Sequence, residues 1–477
     1  MTDNDFMALS PLLLLALSSV LIMLLIAIKL SHRIIQLSSL LLFIISLFSL
    51  CYSQHSNLYF IEPLFVIDGF SVFIMGLIIF SSLVVNILSY IYFEEKEESP
   101  KEYYVLLFLC CLGACVLAIS KHFVALFLGL EILTVGLYAL IAYLRNRNHA
   151  IEAGVKYLVL AAFSSAFLLF GMALIYFQSG SMEFAAISNT LHSGSALSPL
   201  LICGLSMMLV GIGFKLAIVP FHMWTADVYQ GAPAPVTAFI ATASKGGVFA
   251  VMLRFFDSVD RLRFPAVIYI LLSIAIASMI IGNLLALKQN NVKRILAYSS
   301  IAHLGYLLVA FIPGSKTGLF AVSFYLTAYF ITSLTAFGVV SVLSGKDSDA
   351  ENIESYRALF WKRPFLACLF SAALISLAGI PLTVGFIGKF YILTAALQKA
   401  FWLLAFVLVL SSVVGLFYYL RIISAMFSGQ KHLEPKESSA HPLFHLLSKL
   451  VLLILTLFIL GLGIYPSVLI GFIEWLM

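Results

Sequence analysis

The sequence predicts an all-α polytopic membrane protein of about fourteen transmembrane helices, with two inverted five-helix repeats and broken helices at spans seven and twelve. Three observations predict it. First, 62% of the 477 residues are hydrophobic and only 10% are charged, whereas soluble chains carry roughly 45–50% apolar and about 25% charged residues. That surplus exceeds what one core can hide, so lipid must solvate much of the surface. Second, apolar runs of the roughly 20 residues needed to cross about 30 Å of hydrocarbon recur along the whole chain. Third, two of these runs hold a lysine and a proline together, in GIGFKLAIVPFHMW (211–224) and SLAGIPLTVGFIGKFYIL (376–393).

In order, the predicted spans are 9–30, 34–52, 69–93, 103–119, 122–144, 152–178, 198–225, 232–256, 264–287, 293–312, 318–344, 365–398, 402–427 and 446–475. The first is read as a retained helix, because MTDNDFMALS has no basic n-region. Asp68 in VIDGFS is the expected N-cap of the third. The twelfth run is too long for a straight span and is interrupted by Gly379, Pro381, Gly385 and Gly388. The longest polar stretches are 178–197, 345–363 and 428–442, and no soluble domain is expected. This divides the chain into residues 1–100 with helices one to three, repeats at 101–258 and 259–428, and a last helix in 429–477.

Lys and Arg collect on the cytoplasmic side of short loops. With both termini outside, the inner loops hold Lys29, Arg33, Lys96, Lys101, Arg145, Arg147, Lys288, Lys293, Arg294, Lys362, Arg363, Lys431 and Lys436, among others. The outer side holds only Lys121, Arg254, Arg261, Arg263, Lys316 and Lys399.

Three cations, Lys215, Lys245 and Lys389, fit no loop and lie within apolar spans; Glu131 in FLGLEILTVG joins them. Glu131 is roughly 13 Å along its helix, at about 1.5 Å per residue. An ionisable group at such depth costs at least about 2.5–3.5 kcal/mol, and groups retained there usually line an ion path or pair with each other. One static pair would use Glu131 and one lysine and leave two lysines unmatched. A carboxylate about 4 Å from a buried ammonium is worth roughly 4 kcal/mol at an effective dielectric of 20. Small displacements of Glu131 would therefore change how firmly a lysine holds its proton. Pro220 and Pro381 suit helices broken at mid-membrane, where freed carbonyls line a wet cavity. In the second repeat the position matching Glu131 falls in AYSSIAHLGYLLV, where His303 is either a relay or a packing histidine beside Ser299 and Ser300. His222 and Asp227 are weaker candidates.

The six cysteines lie in apolar runs without a CxxC pair and are expected to be small core residues. No GxGxxG, P-loop or paired haem-type histidines occur, and the net charge of +5 with no basic aromatic patch gives no nucleic-acid surface.

The stretches FKLAIVPFHMWTADVYQGAPAPVTAFIATASK (214–245), NVKRILAYSSIAHLGYLLVA (291–310) and SLAGIPLTVGFIGKFYIL (376–393) resemble the N-subunit family of bacterial proton-translocating NADH–quinone oxidoreductase, respiratory complex I. The resemblance covers essentially the whole chain and extends to multisubunit cation/proton antiporters. YQGAPAPV and ATASK resemble the N type more than its L and M siblings. So do the lack of a long lateral helix after span fourteen and a lysine rather than a glutamate in span twelve. The resemblance implies that Glu131 tunes the channel, Lys215 is the broken-helix lysine, Lys245 the connecting lysine and Lys389 the terminal one. It also implies that NAD, FMN, iron–sulfur clusters and quinone belong in or near partner subunits, none being held here. The expected partners are other membrane-arm subunits, including antiporter-like siblings, together with lipid and protons. The expected setting is a bacterial inner membrane with both termini periplasmic. A gradient-driven cation/proton antiporter subunit is the alternative.

Overall fold

A computed structural model describes residues 3–53, 59–96, 100–193, 198–259, 264–346, 348–429 and 442–476. Lys431, Lys436, Arg261, Arg263 and most of the polar stretch 428–442 lie outside the described residues. The chain is a multi-pass, all-α membrane protein. Its helices are α1 (Asp3–Ala8), α2 (Ser10–Ala27), α3 (His32–Ser53), α4 (Gly69–Glu95), α5 (Lys101–Ile119), α6 (Phe123–Ile141), α7 (Asn148–Ser179) and α8 (Phe184–Ser193). There follow α9 (Pro199–Leu216), α10 (Thr225–Gly231), α11 (Ala234–Phe239), α12 (Lys245–Ser258), α13 (Pro265–Leu287), α14 (Val292–Phe311) and α15 (Lys316–Leu343). The last are α16 (Leu359–Lys362), α17 (Pro364–Ala378), α18 (Val384–Gln398), α19 (Trp402–Phe427), α20 (Pro442–Ile464) and α21 (Ser467–Leu476). A short antiparallel hairpin, β1 (Tyr59–Ile61) and β2 (Phe65–Ile67), precedes α4.

Among the described residues, thirteen helices are long and apolar enough to cross a membrane, counting α11 and α12 as one. The fourteenth predicted span is the twelfth run, split here into α17 and α18. The run predicted at 446–475 also divides, into α20 and α21 with Pro466 between them, because proline cannot donate the bond that would continue α20.

Uniformly apolar helices face either lipid or other helices, and this chain sorts them into two zones. The spans of α11–α12, α14 and α15 are almost wholly enclosed by protein, whereas α2, α3, α7, α19 and α20 turn most of their surface outward. The lysine-bearing α12 thus lies in the interior. Asp68 caps α4 as expected, accepting from the Ser71 amide at 2.8 Å. It also accepts from both guanidinium nitrogens of Arg254, at 2.6 and 3.0 Å. Burial alone would raise its carboxyl, but Arg254 more than offsets this and holds it below its ordinary value. Of the cysteines, Cys110, Cys111 and Cys115 are core residues, while Cys51, Cys203 and Cys368 face outward. On a lipid-facing helix an apolar run does not distinguish inside from outside, so that expectation held for only half of them.

Candidate functional site

The seventh predicted span ends as a helix directly after its lysine. Ala217 takes the left-handed conformation (φ 60°) and closes α9, and residues 217–224 run as turns until α10. The helix therefore stops before Pro220, which lies within the unwound stretch. Lys215 is turned inward and donates to the Thr134 hydroxyl on α6 at 2.6 Å, with the rings of Tyr157 and Phe214 at 5.4 and 5.7 Å. The Trp224 indole donates to the Phe214 carbonyl at 2.9 Å, satisfying one of the acceptors freed by the break.

Glu131 lies one turn before Thr134 on α6, half-buried against α7, and accepts from the Ser165 hydroxyl at 2.7 Å. It makes no ion pair with Lys215 within 4.0 Å. The carboxylate and the ammonium thus sit near one another on the same helix face, each held by a neutral hydroxyl.

Lys245 follows a single π-type turn, Ile240–Ser244, in an otherwise α-helical span. Such turns are rare and gather at functional sites. The turn has no sequence signal of the proline kind, and sequence reading missed it. The ammonium donates to Ser300 on α14 at 2.6 Å and lies 5.7 Å from the Tyr229 ring.

From Ser300 the polar groups climb one face of α14 at steps of three residues. Ser300 shares a hydrogen bond with Tyr329 on α15 at 2.6 Å. His303 is buried between two tyrosines, its Nδ1 2.6 Å from the Tyr325 hydroxyl and its Nε2 3.2 Å from that of Tyr419. Tyr419 is also bonded to Ser299. Tyr306 presents its ring to Lys389 at 5.2 Å, while its hydroxyl meets Ser411 at 3.0 Å. Asn283 joins this group, donating to Ser411 at 2.6 Å and accepting from Tyr418 at 2.9 Å.

Lys389 closes the row at the second helix break. It donates to the Leu377 and Ala378 carbonyls at 2.9 Å each and to Ser412 at 2.8 Å. A cation at a helix C-terminus satisfies orphan carbonyls and matches the helix dipole. Gly379 ends α17 with φ +84°, and a Cβ there would lie 2.8 Å from the Lys389 side chain. A Cβ on Gly385 would overlap the Ser376 carbonyl. Replacing Gly385 with alanine is therefore expected to push α18 off α17 and cost about 1–3 kcal/mol, as overpacking does. Thermal unfolding in detergent reads this, and an unchanged midpoint would contradict the close approach.

Lys215, Lys245, His303 and Lys389 are all buried. The structure brings the last three onto one face of α14. It keeps Lys215 with the Thr134–Glu131 face of α6, and no hydrogen bond among the described residues joins the two groups. On α10, between them in sequence, the Thr225 and Tyr229 hydroxyls are buried, with no hydrogen-bond partner within 3.5 Å among the described residues. Asp227 is instead a surface residue, paired with Lys156 at 3.0 Å and Arg294 at 2.7 Å. His222 Nδ1 is buried with no hydrogen-bond partner among the described residues.

Sequence reading also missed a buried ion cluster. Asp349 accepts from Lys293 at 2.9 Å, Lys96 at 3.1 Å, Arg147 at 3.3 Å and the Tyr92 hydroxyl at 2.7 Å. Lys293 donates further to the Gln230 and Ala232 carbonyls at 2.8 and 2.7 Å, at the end of α10. One carboxylate thereby ties together α4, the α6–α7 turn, α10, α14 and the segment after α15.

The NADH:quinone oxidoreductase/Mrp antiporter transmembrane family model matches residues 120–415. A chain of respiratory complex I from Thermus thermophilus is 31% identical, with 97% of this chain and 98% of that chain covered and a TM-score of 0.82. A chain of the membrane-bound sulfane sulfur reductase, an archaeal respiratory membrane complex, is 24% identical over 98% and 96%, with a TM-score of 0.85. A chain of the Mrp complex from Dietzia sp. DQ12-45-1b is 21% identical over 99% and 96%, also with a TM-score of 0.85. The last two likenesses concern the fold. With its helix breaks, its row of enclosed lysines and this match over most of its length, the chain belongs to the NADH:quinone oxidoreductase/Mrp antiporter family of membrane subunits.

Proposed function

We propose that the chain is the N-type membrane-arm subunit of a proton-translocating NADH:quinone oxidoreductase. Protons move along Glu131, Lys215, Lys245, His303 and Lys389, and redox chemistry in partner subunits drives them. The observation that carries this reading is that Lys215, Lys245 and Lys389 are each enclosed by protein and held by hydroxyls and carbonyls rather than carboxylates. A structural ion pair would need a counter-ion, and a neutral partner leaves each lysine free to lose and regain its proton. Lysine suits this because its protonation responds to burial, whereas arginine stays charged. Moving one charge against 100 mV takes about 2.3 kcal/mol, which the partners must supply.

In this reading NAD, FMN, iron–sulfur clusters and quinone stay in or near the partner subunits, and antiporter-like siblings flank the chain. The two breaks belong to repeats at 101–258 and 259–428, and both termini face the periplasm of a bacterial inner membrane. The family description, which names the Mrp antiporter beside NADH:quinone oxidoreductase, supports a second reading, a cation/proton antiporter subunit. Copurification separates them: quinone-reductase subunits come with the first and antiporter subunits with the second.

The proton path is tested with Lys245→Met in the assembled complex, reconstituted in proteoliposomes. Assembly is expected to persist while redox-driven proton uptake and quinone reduction fall together by at least about tenfold, the effect of roughly 1.4 kcal/mol on the limiting barrier. Wild-type pumping would sink the reading.

A further inference from the structure

The helix between the Lys215 group and the α14 row is α10, which packs against α7 on one side and α14 on the other. Its residues divide by face. Asp227 points to the surface, where Lys156 and Arg294 hold it. Thr225 and Tyr229 are four residues apart, which puts them one turn apart on the same face. Both are fully enclosed by protein, and neither hydroxyl has a hydrogen-bond partner within 3.5 Å among the described residues. A buried hydroxyl left unbonded costs free energy, and two on one helix face call for an explanation. Their surroundings supply one. The Tyr229 ring lies 5.7 Å from the Lys245 ammonium and meets Phe337 edge-on at 5.9 Å. The polar groups that act on its hydroxyl, none of them bonded to it, are Ser300 and Tyr329 on the Lys245 side and Tyr157 on the Lys215 side. The Tyr157 ring in turn lies 5.4 Å from the Lys215 ammonium and 5.0 Å from the ring of Trp224, the residue before Thr225.

We infer that the Thr225 and Tyr229 hydroxyls hold buried water between Lys215 and Lys245, and that the Tyr229 hydroxyl is a proton-relay group between them. The inference rests on the proton-path reading above and names the residues that close its one unbonded gap. Buried water settles where polar groups without protein partners converge. A hydroxyl both donates and accepts, so it can take one proton and release another while staying neutral. The step balances in that way. A proton leaves the Lys215 ammonium for the water, and the water gives one of its own to the Tyr229 oxygen. The original Tyr229 proton passes to Ser300, whose own proton goes to the free amine of Lys245. Lys215 ends as the neutral amine, Lys245 as the ammonium, and the water and both hydroxyls are restored. The bond that Lys245 donates to Ser300 at 2.6 Å is the state after this transfer. The platform is held at its far end, where Lys293 binds the Gln230 and Ala232 carbonyls at 2.8 and 2.7 Å.

The test uses the assembled complex in proteoliposomes, with assembly checked by native electrophoresis. Tyr229→Phe keeps the ring against Phe337 and Lys245 and removes only the hydroxyl. It is expected to lower redox-driven proton uptake by about tenfold. Removing an acid–base group usually costs roughly a hundredfold or more, and the loss is smaller here because water enters the space of the missing oxygen. Thr225→Val removes one holder of the water and should lower uptake by less. A purely structural tyrosine is indifferent to its acidity, so fluorinated tyrosines at position 229 separate the two roles. They keep the hydroxyl and the fold, and proton uptake should change steadily with phenol acidity along the series. A density map of the complex fine enough to show waters should place one within hydrogen-bond distance of both hydroxyls. Wild-type uptake in Tyr229→Phe, a flat response along the fluorotyrosine series, or a map with no water at the two hydroxyls would overturn the inference. The two readings fail separately. Loss of pumping in Lys245→Met with wild-type pumping in Tyr229→Phe strikes this inference alone, whereas wild-type pumping in Lys245→Met strikes the proton path and this bridge with it.

Discussion

Replacing Asp349 with alanine is expected to destabilise the chain by about 3–5 kcal/mol, the cost of removing one partner from a buried ion pair. The asymmetry of the cluster decides this. A single carboxylate faces Lys96, Arg147 and Lys293, and Lys293 has no solvent exposure. Without Asp349 the Lys293 ammonium retains only the Gln230 and Ala232 carbonyls, which are dipoles rather than a counter-charge. Asp349→Asn keeps the shape and removes the charge, so it should cost nearly as much. Lys293→Met should cost less, because Lys96 and Arg147 still neutralise the carboxylate. Thermal unfolding of the purified complex ranks the three, and equal midpoints for Lys293→Met and Asp349→Asn would contradict the ranking.

The pH dependence has a definite sign. Burial alone would raise the Asp349 carboxyl, but Lys293 and Lys96 more than offset it and hold it well below the carboxylate range. A carboxyl depressed by folding contributes stability above its unfolded pKa of about 3.9, and that stability is lost as pH falls towards the folded value. The gap between wild type and Asp349→Ala should therefore be constant from about pH 5 upward and close only in acid. A gap that narrowed between pH 6 and 8 would mean that another group carries the effect.

The sequence announced the spans because apolar runs of that length have one explanation, and it announced Lys215, Lys245 and Lys389 because a cation in such a run is conspicuous. What surrounds those lysines was not legible. Tyr306, Tyr325, Tyr329 and Tyr419 count as apolar in any hydropathy reading, yet their hydroxyls line the row beside His303 and Ser300. The π-type turn before Lys245 arises from packing and leaves no residue pattern. Asp349 sits in GKDSDAEN, which reads as an ordinary polar loop. Only the fold carries Lys96, from more than two hundred residues earlier in the chain, to within 3.1 Å of it. Glu131 does lie within α6, the helix its apolar run predicts. Its separation from Lys215 by the Thr134 and Ser165 hydroxyls depends on the facing of three helices, which spacing along one of them does not fix.

That separation leads to the second large effect. Lys215→Met should leave assembly intact and remove most redox-driven proton pumping, since the methionine fills the space beside Thr134 but binds no proton. Glu131→Gln should act more weakly. Glu131 touches Ser165 rather than Lys215, so it influences the lysine only through its field. With no ion pair inside 4.0 Å, that field is worth less than the roughly 4 kcal/mol of a charge about 4 Å away at an effective dielectric of 20. A group that works wholly through Lys215 has nothing to act on once the lysine is gone. The Lys215→Met/Glu131→Gln double variant should then pump no worse than Lys215→Met alone, a strongly non-additive pair. If the losses multiply instead, Glu131 handles protons by a route of its own, and the half-exposed face of α6 towards α7 becomes the place where that route runs.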